Sequence, residues 1–201
     1  MERTEIRIVA GQLRGRKLVC HVHEGMRPTP QMVREALFSI LGNAVPDRIF
    51  YDLFAGTGVN GIEAISRGAS QAQFLERDAK LATSIEKHIE GFGIREKAMV
   101  VRTDVYRWAE RWVPPAHPVN VFISPPFADL KERLPQFLGL VQALKTRMLD
   151  DSVLVLQVED GFDYEALGDL DQWDIRQYGR NMLLFWVKEH ESALPDNEDD
   201  A

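Results

Sequence analysis

The sequence predicts a doubly wound α/β fold, in which helices cover both faces of a mostly parallel sheet. From residue 49 onward, β-prone and helix-prone segments alternate along the chain, and this alternation is typical of parallel sheets. A G-x-G-x-x-G spacing over residues 56–61 lies between a predicted strand and a predicted helix, which is where such a turn occurs in this fold. The chain has 201 residues, of which 45% are hydrophobic, so one domain can bury a sizeable core.

An N-terminal extension precedes the alternating segments. Residues 6–9 and 17–20 are short β-prone runs with glycines between them, which predicts a β-hairpin whose tip presents Arg14 and Arg16. Thr29 then predicts the N-cap of a helix, because a proline follows it and apolar residues recur at helical spacing up to residue 44.

The main domain is predicted over residues 46–188, after an extension of residues 1–45. Its predicted strands are 49–54, 72–75, 99–102, 119–123, 153–158, 173–177 and 182–187. Its predicted helices are 58–67, 78–92, 105–112 and about 131–148. The last two strands follow each other without a helix, so they are expected to form a hairpin that ends the sheet antiparallel. Residues 189–201 contain six acids and no Lys or Arg, which predicts an acidic disordered tail.

The charge of the chain is unevenly distributed. The formal net charge is −7, yet residues 1–34 carry seven Lys or Arg against three acids, whereas residues 35–201 carry 17 against 28. Clustered arginines favour an anionic partner, most often nucleic acid, although a solvated hairpin with incidental charge has the same composition.

Several classes of protein are disfavoured by composition. No apolar run approaches the ~18 residues of a membrane helix, and the first residues lack the layout of a signal peptide. The single cysteine, Cys20, excludes an intrachain disulfide. The pair His21 and His23 has no third ligand in view, so no metal site is predicted. We therefore expect a cytoplasmic protein with no membrane partner.

The glycine turn predicts an adenosine ligand. Gly56 and Gly58 let the backbone turn sharply and let a ligand approach main-chain atoms. Glu76 closes the next predicted strand, and a carboxylate there can accept hydrogen bonds from both hydroxyls of a ribose. The spacing alone leaves two ligands open, a nicotinamide or flavin dinucleotide and S-adenosylmethionine.

Two acids bear on that choice. Asp52 lies four residues before the first glycine, where its charge would be unfavourable beside a pyrophosphate but tolerated beside a sulfonium cofactor with an ammonium group. Asp104 directly follows the third predicted strand of the main domain and is suited to the exocyclic amine of adenine. Asp104 is also in position to be the N-cap of the next helix, and the two roles are compatible.

A second motif ends the fourth strand of the main domain. Ser124, Pro125, Pro126 and Phe127 follow that strand, and prolines fix the chain and remove donors. The carbonyl groups of Ser124 and Pro125 can then accept hydrogen bonds from a flat, amine-bearing base that lies on Phe127. Acceptors that hold and aim an exocyclic amine lower the barrier to its alkylation. The alternative is a structural turn with a core phenylalanine.

Together these segments resemble a known family. Asp52 to Gly61 with Ser124-Pro125-Pro126-Phe127 resembles motifs I and IV of the class I S-adenosylmethionine-dependent amino-methyltransferases. Residues 7–18, Arg27-Pro28-Thr29 and residues 33–38 more narrowly resemble the N-terminal signature of the RsmD family. Members of that family are bacterial enzymes that methylate the N2 amine of one guanine in small-subunit ribosomal RNA. The similarity covers about residues 6–188.

The resemblance implies a Rossmann-like class I methyltransferase sheet, S-adenosylmethionine as the cofactor and a role for each motif residue. The cofactor-binding residues would be Thr29, Asp52, Phe54, Gly56, Gly58, Glu76, Arg77 and Asp104. RNA would be contacted by Arg7, Arg14, Arg16, Lys17 and Arg27. The catalytic turn would be Ser124, Pro125, Pro126 and Phe127. The partner would be small-subunit ribosomal RNA or the assembling subunit. The sequence does not determine the oligomeric state, and a monomer is the expectation.

The main departure from the family pattern is Ser124, because family members usually carry Asp at that position. A serine hydroxyl is neutral and has one side-chain oxygen, so two hypotheses stay open besides guanine N2 methylation: methylation of adenine N6 or of a protein amide, and a weakly active factor that binds cofactor and RNA during ribosome assembly. The glycine spacing leaves a further hypothesis, a dinucleotide-dependent oxidoreductase. The last of these leaves the Ser-Pro-Pro-Phe turn without a role.

Overall fold

The computed structural model describes residues 2–22 and 26–190. From residue 49 to residue 159, consecutive strands are separated by helical segments. In chain order the helices and strands are β1 (Glu2–Arg7), β2 (Lys17–Val22), α1 (Gln31–Leu41), β3 (Ile49–Leu53), α2 (Val59–Ser66), β4 (Gln71–Leu75), α3 (Ala79–Phe92), β5 (Ala98–Val101), α4 (Val105–Arg111), β6 (Val119–Ile123), α5 (Phe127–Glu132), α6 (Leu134–Arg147), β7 (Val153–Glu159), β8 (Trp173–Tyr178) and β9 (Asn181–Val187).

The large sheet has seven strands in the order β5-β4-β3-β6-β7-β9-β8. The first five strands in this order are parallel to their neighbours, and β9 is antiparallel to both β7 and β8. The predicted doubly wound sheet with an antiparallel end is therefore confirmed. The predicted division at residues 45 and 188 stays a prediction.

Both faces of the sheet are covered. On one face α1 buries Leu37 and Phe38 against Phe50 and Phe122, and the Phe38 and Phe50 rings are 5.7 Å apart. The other face packs under α4 and α6, where Tyr51 contacts both Trp108 and Trp112. The two tryptophans thus pack on the sheet.

The hairpin of β1 and β2 forms a separate two-stranded sheet. Its buried side chains Ile8, Leu18 and Cys20 join a cluster with Ile62 of α2 and Ile85 of α3. β1 begins four residues earlier than predicted and ends before residues 8 and 9, whereas β2 begins at the predicted residue 17 and runs two residues longer. The predicted acidic tail lies outside the described residues from 191 onward, as does His23, and the side chain of His21 is also not described.

Two predicted helix boundaries are wrong. Thr29 is not the N-cap of α1, because the helix begins after Pro30 and the Thr29 hydroxyl binds other side chains. The single helix predicted over 131–148 is two helices with a break at Arg133. The break has a steric cause, since Pro135 in the first turn of α6 has no N–H and its ring excludes a continuous helix through residue 131.

Within the described part of the chain, no helix is both long and apolar enough to cross a bilayer.

Candidate active site

Four strand ends meet at one edge of the large sheet. Leu53 at the end of β3 is paired with Leu75 of β4 and with Ile123 of β6, and Leu75 is paired with Val101 of β5. Because these strands are parallel, the segments that follow them lie side by side. The glycine turn, Glu76, Asp104 and the tetrapeptide 124–127 are therefore brought together, as the sequence predicted.

The glycine turn is a strained loop between β3 and α2. Phe54, Gly56 and Gly58 all have positive φ angles, of 61°, 55° and 73°, and for a bulky residue such as Phe54 this conformation is unfavourable. The Ala55 amide donates to the Leu75 carbonyl at 3.0 Å and holds the turn against β4. A Cβ atom at Gly61 would lie 2.3 Å from the Phe74 ring, so the last glycine is required for packing.

Asp52 lies beneath this turn and is 1% exposed. Its Oδ2 accepts a hydrogen bond from the Gly61 amide at 3.0 Å. Burial raises the pKa of Asp52, the Gly61 amide opposes this shift, and the nearby charge of Glu76 adds to it, so that the pKa is about 8. The side chain therefore holds a proton at neutral pH unless a positive group approaches it.

Glu76 connects the turn to the start of α3. Its Oε2 accepts from the Gly56 amide at 2.8 Å, and its Oε1 accepts from the Asp78 amide at 2.8 Å. Asp78 is itself the N-cap of α3. Arg77 is exposed next to Glu76. Each carboxylate oxygen of Glu76 keeps a second lone pair for a ligand.

Asp104 is the N-cap of α4, the alternative that its position allowed. Its Oδ1 accepts from the amides of Tyr106 and Arg107 at 3.0 and 3.2 Å. Its Oδ2 lies 3.8 Å from Nη1 of Arg133, whose guanidinium carbon is 4.1 Å from the centre of the Tyr106 ring. The expected contact of Asp104 with adenine stays a prediction.

Tyr106 connects three loops of this edge. Its ring contacts Phe54 edge-on at 5.6 Å, and its hydroxyl donates to Asp129 Oδ2 at 2.9 Å. Burial raises the pKa of Tyr106, and the hydrogen bond to Asp129 raises it further. The start of α4, the glycine turn and helix α5 are thereby fixed relative to one another.

The tetrapeptide turn begins at Ser124, whose amide donates to the Leu53 carbonyl at 3.4 Å. Ser124 and Pro125 are half-buried, while Phe127 opens α5 with 47% of its surface exposed. The Lys131 ammonium lies 4.5 Å from the centre of the Phe127 ring. Phe127 is thus not the core phenylalanine of a purely structural turn.

The segment before α1 closes over the glycine turn. The terminal methyl group of Met26 lies 2.8 Å from the place that a Cβ of Gly56 would take. The Thr29 hydroxyl donates to Gln157 Oε1 at 2.8 Å and accepts from the Asn60 amide nitrogen at 3.0 Å. Thr29, expected to bind cofactor, is therefore held between α2 and β7.

The hairpin is fastened to α2 by a buried carboxylate. Glu63 accepts hydrogen bonds from the amides of Val9 and Ala10 at 2.9 and 3.0 Å, and from Arg67 Nε at 2.9 Å. Arg34 Nε lies 3.6 Å from the same side chain. On the other side of the hairpin, the Val19 amide donates to His88 Nε2 at 3.2 Å.

The five predicted RNA-binding residues differ in their surroundings. The side chains of Arg7 and Arg14 are exposed. Arg16 donates to the Gly91 carbonyl at 2.8 Å and lies over the Phe92 ring. Lys17 and Arg27 make exposed ion pairs with Glu5 and Glu159 at 3.0 and 3.7 Å, and such pairs are weak enough for a phosphate to compete.

Sequence reasoning missed several residues of this edge. Asn60 lies within the G-x-G-x-x-G spacing, and Met26 and Arg133 flank motifs, but none has a pattern that predicts its contacts. Cavity size does not locate this site either, because a cavity of about 630 Å³ lies at the opposite end of the parallel strands. Its lining residues include Arg48, Val153 and Phe185 and none of the predicted site residues. Within the described residues, no cluster of His, Cys, Asp and Glu could hold a metal ion.

Comparison with known proteins places this geometry in a family. The family model described as "Conserved hypothetical protein 95" matches residues 6–187. The chain belongs to this family. The ribosomal RNA small subunit methyltransferase D of Escherichia coli strain K12 is 37% identical over 123 residues, which are 61% of this chain and 61% of that protein. The match thus spans less than two thirds of that relative. The resemblance to the RsmD family is confirmed.

Other relatives of the family match over more of their length. The "Putative rRNA methyltransferase YlbH" of Bacillus subtilis strain 168 is 28% identical over 189 residues, covering 91% of this chain and 99% of that protein. The solved structure of "Putative methyltransferase yhhF from Escherichia coli" has a TM-score of 0.75 at 27% identity, covering 92% of this chain and 99% of that one.

A more distant structure shares the fold alone. It is a Thermus thermophilus 16S rRNA N2 G1207 methyltransferase in complex with AdoMet and guanosine, with a TM-score of 0.70 at 21% identity over 94% of this chain and 50% of that one. The predicted class I methyltransferase form of the sheet is confirmed.

Proposed function

We propose that the chain is an S-adenosylmethionine-dependent methyltransferase that modifies the N2 amine of a guanine in small-subunit ribosomal RNA. The observation that carries the proposal is the adjacency of the glycine turn and the tetrapeptide turn. Leu53 and Ile123 are paired, and the Ser124 amide donates to the Leu53 carbonyl at 3.4 Å. A cofactor held by the first turn and an amine held by the second would meet at this edge.

The residues of the glycine turn fit an adenosine ligand with a cationic end. Glu76 has lone pairs free for the two ribose hydroxyls, and Asp104 Oδ2 is not used by the helix cap. Asp52 is a buried acid whose raised pKa makes a cation a better neighbour than a phosphate. Met26 covers Gly56 only with the end of a flexible side chain, so it can move aside for a ligand.

The chemistry requires a cofactor and an oriented amine. When bound, S-adenosylmethionine supplies an electrophilic methyl group on a sulfonium and is converted to S-adenosylhomocysteine. Ser124 and the Pro125 carbonyl accept the hydrogens of the guanine amine and aim its nitrogen at that methyl group. The amine loses one proton to water. Phe127 offers an exposed aromatic face on which a base can stack.

Small-subunit ribosomal RNA is the substrate class that the family relatives favour. The relative from Escherichia coli carries that substrate in its name. In this chain, the exposed Arg7 and Arg14 lie on the N-terminal arm, the β1–β2 hairpin of residues 2–22, which is docked beside the glycine turn through Glu63. Arginine side chains in such a position suit the phosphates of an RNA whose target base enters the crevice.

The decisive assay supplies labelled S-adenosylmethionine to small subunits from cells that lack this protein, to free ribosomal RNA and to DNA, followed by nucleoside mass spectrometry. We expect label in N2-methylguanosine of the small-subunit RNA. Label in N6-methyladenine or in protein would overturn the choice of substrate. Tight binding of NAD without binding of S-adenosylhomocysteine, measured by calorimetry, would overturn the choice of cofactor.

Ser124 provides a matched pair of variants for the same assay. Ser124→Ala removes the side-chain acceptor and should lower the rate about ten-fold or more, whereas Ser124→Asp should maintain or raise it. Both variants should bind S-adenosylhomocysteine as the parent does. An unchanged rate in Ser124→Ala would remove Ser124 from the mechanism, and no turnover by the parent with intact binding of cofactor and RNA would favour an assembly factor.

A further inference from the structure

Asn60 is a buried side chain of the glycine turn that none of the predicted roles uses. It lies in the first turn of α2 and is 4% exposed. Its amide nitrogen donates to Thr29 Oγ1 at 3.0 Å. Its carbonyl oxygen is buried and has no hydrogen-bond partner within the described residues. Buried acceptors are usually satisfied, so an unpartnered oxygen in the glycine turn, next to the buried Asp52, is a candidate contact for a ligand donor.

The direction of a hydrogen-bond chain leaves this oxygen free. The Thr29 hydroxyl donates to Gln157 Oε1 at 2.8 Å, and Gln157 Nε2 donates to Asn181 Oδ1 at 3.0 Å. Because the Thr29 hydrogen is used by Gln157, Thr29 acts as an acceptor toward Asn60. Asn60 therefore presents its NH2 group to Thr29 and keeps its carbonyl oxygen for another group.

The surroundings of Asn60 favour a cationic donor. The next residue, Gly61, donates its amide to Asp52 Oδ2 at 3.0 Å, so the side chain of Asn60 begins beside a buried carboxyl group. A carbonyl oxygen and a carboxylate together repel an anion, whereas an ammonium group has three donors and no acceptor. The contacts of Thr29 with Gln157 place Asn60 toward β7. Glu76 and Asp104, the expected ribose and adenine acceptors, lie toward β4 and β5.

We propose that Asn60 Oδ1 accepts a hydrogen bond from the α-ammonium group of the cofactor and makes the crevice selective for ligands that carry this group. The proposal rests on the proposed function, because it assumes an adenosine cofactor with an amino-acid end. In this arrangement the ligand spans the edge from the β5 side to the β7 side. Adenine and ribose contact one half, and the amino-acid end contacts Asn60 and Asp52 in the other.

The test compares ligands with and without the amino-acid end by calorimetry. S-adenosylhomocysteine carries the ammonium group, its des-amino analogue lacks only that group, and 5′-methylthioadenosine lacks the whole amino-acid end. Asn60→Leu keeps the size of the side chain and removes the acceptor. We expect it to weaken S-adenosylhomocysteine about ten-fold, the lower end for a hydrogen bond to a charged group. The affinities of the other two ligands should change less than about two-fold.

Matched variants separate ligand contact from structure. Asn60→Asp keeps an acceptor and adds a charge. It should therefore bind S-adenosylhomocysteine about ten-fold more tightly than Asn60→Leu does. Asn181→Ala removes the acceptor for Gln157 Nε2 at the far end of the same hydrogen-bond chain. It should leave the preference among the three ligands unchanged. Thermal unfolding of each variant checks that the fold is intact.

Three results would overturn the proposal. Equal weakening of all three ligands by Asn60→Leu would make Asn60 a structural residue only. An unchanged affinity for S-adenosylhomocysteine would leave Asn60 without a ligand contact, and an effect that persists with the des-amino analogue would assign Asn60 to the carboxylate. Failure of the parent protein to bind any of the three would instead contradict the proposed function itself.

Discussion

Asp52 and Glu63 are two buried acids on the same strand–turn–helix unit, and they differ in the partners that surround their carboxyl groups. Glu63 is 0% exposed and has two backbone amides and two arginines around its carboxylate. Asp52 is 1% exposed and has one backbone amide, with another acid nearby. Removing the partner of a matched buried carboxylate is costly to the fold, whereas an unmatched buried acid with a raised pKa is a candidate functional residue.

The first prediction, with the largest expected effect, concerns the removal of the charge of Glu63. Glu63→Gln leaves the buried Arg34 without its counter-charge and deprives one of the Val9 and Ala10 amides of an acceptor. We expect a loss of about 3–5 kcal/mol in the free energy of unfolding, measured by chemical denaturation. The exposed Glu35→Gln should change stability by less than about 0.5 kcal/mol. A loss below about 1 kcal/mol for Glu63→Gln would show that the arm is held by its apolar contacts instead.

The second prediction concerns the removal of Asp52, which should increase stability rather than lower it. The pKa of Asp52 is raised to about 8 in the folded chain from about 3.9 when unfolded. Its contribution to stability is complete below the unfolded pKa and is lost as the pH rises through the folded pKa. As the pH rises from 4 to 8, the free energy of unfolding of Asp52→Asn should therefore increase relative to that of the parent, by more than about 1.4 kcal/mol.

Denaturation at several pH values measures this difference. The gain should level off above pH 8, where Asp52 of the folded parent is already ionised. The same variant should bind S-adenosylhomocysteine more weakly, because a neutral amide cannot match the cationic end of the ligand. Parallel stability curves for the parent and Asp52→Asn would contradict the second prediction.

The third prediction concerns the other attachment of the arm. His88 Nε2 accepts from the Val19 amide, which requires a neutral imidazole, and burial lowers the pKa of His88. The stability that depends on neutral His88 is present above the unfolded pKa of about 6.5 and is lost as the pH falls through the folded pKa. His88→Gln should therefore lose less stability than the parent between pH 7 and pH 5, by about 1 kcal/mol. An equal loss in both proteins would exclude His88 as the cause.

The fourth prediction separates the outer side of the arm from its docked side. Arg14 is exposed, whereas Arg16 binds the Gly91 carbonyl and lies over Phe92. Arg14→Ala should leave unfolding unchanged and reduce the salt dependence of RNA binding by about one ion. Arg16→Ala should also lower stability slightly. The opposite pattern, with Arg14 affecting only stability, would contradict the assignment of the exposed side to RNA.

The large sheet could be predicted because its buried strands are short apolar runs between turn residues, and because parallel strands bring their ends to one edge. This also explains why Asp52, Glu76, Asp104 and Ser124 could be placed together from the sequence. Their roles toward cofactor and RNA stay predictions. Asp104 as a helix cap was foreseeable, since Asp before a helical segment favours that position.

Other features depend on partners that are distant in sequence. Thr29 has the local pattern of an N-cap, yet its hydroxyl binds Asn60 and Gln157, which lie 31 and 128 residues away. The break at Arg133 was missed because the apolar spacing continues through it. The sequence pattern around Glu63 is that of an ordinary helix residue. Only the fold shows that two arginines and the hairpin surround its carboxylate.

Cys20 gives the arm an internal reporter of its own opening. Its thiol is 2% exposed between the hairpin and α3, and burial raises the pKa of that thiol to about 11. Alkylation requires a solvent-exposed thiolate, so reagent can attack only during the intervals in which the hairpin lifts away. Because Cys20 is the only cysteine in the sequence, the alkylation rate reports on this opening alone and should fall if bound RNA holds the hairpin against the domain.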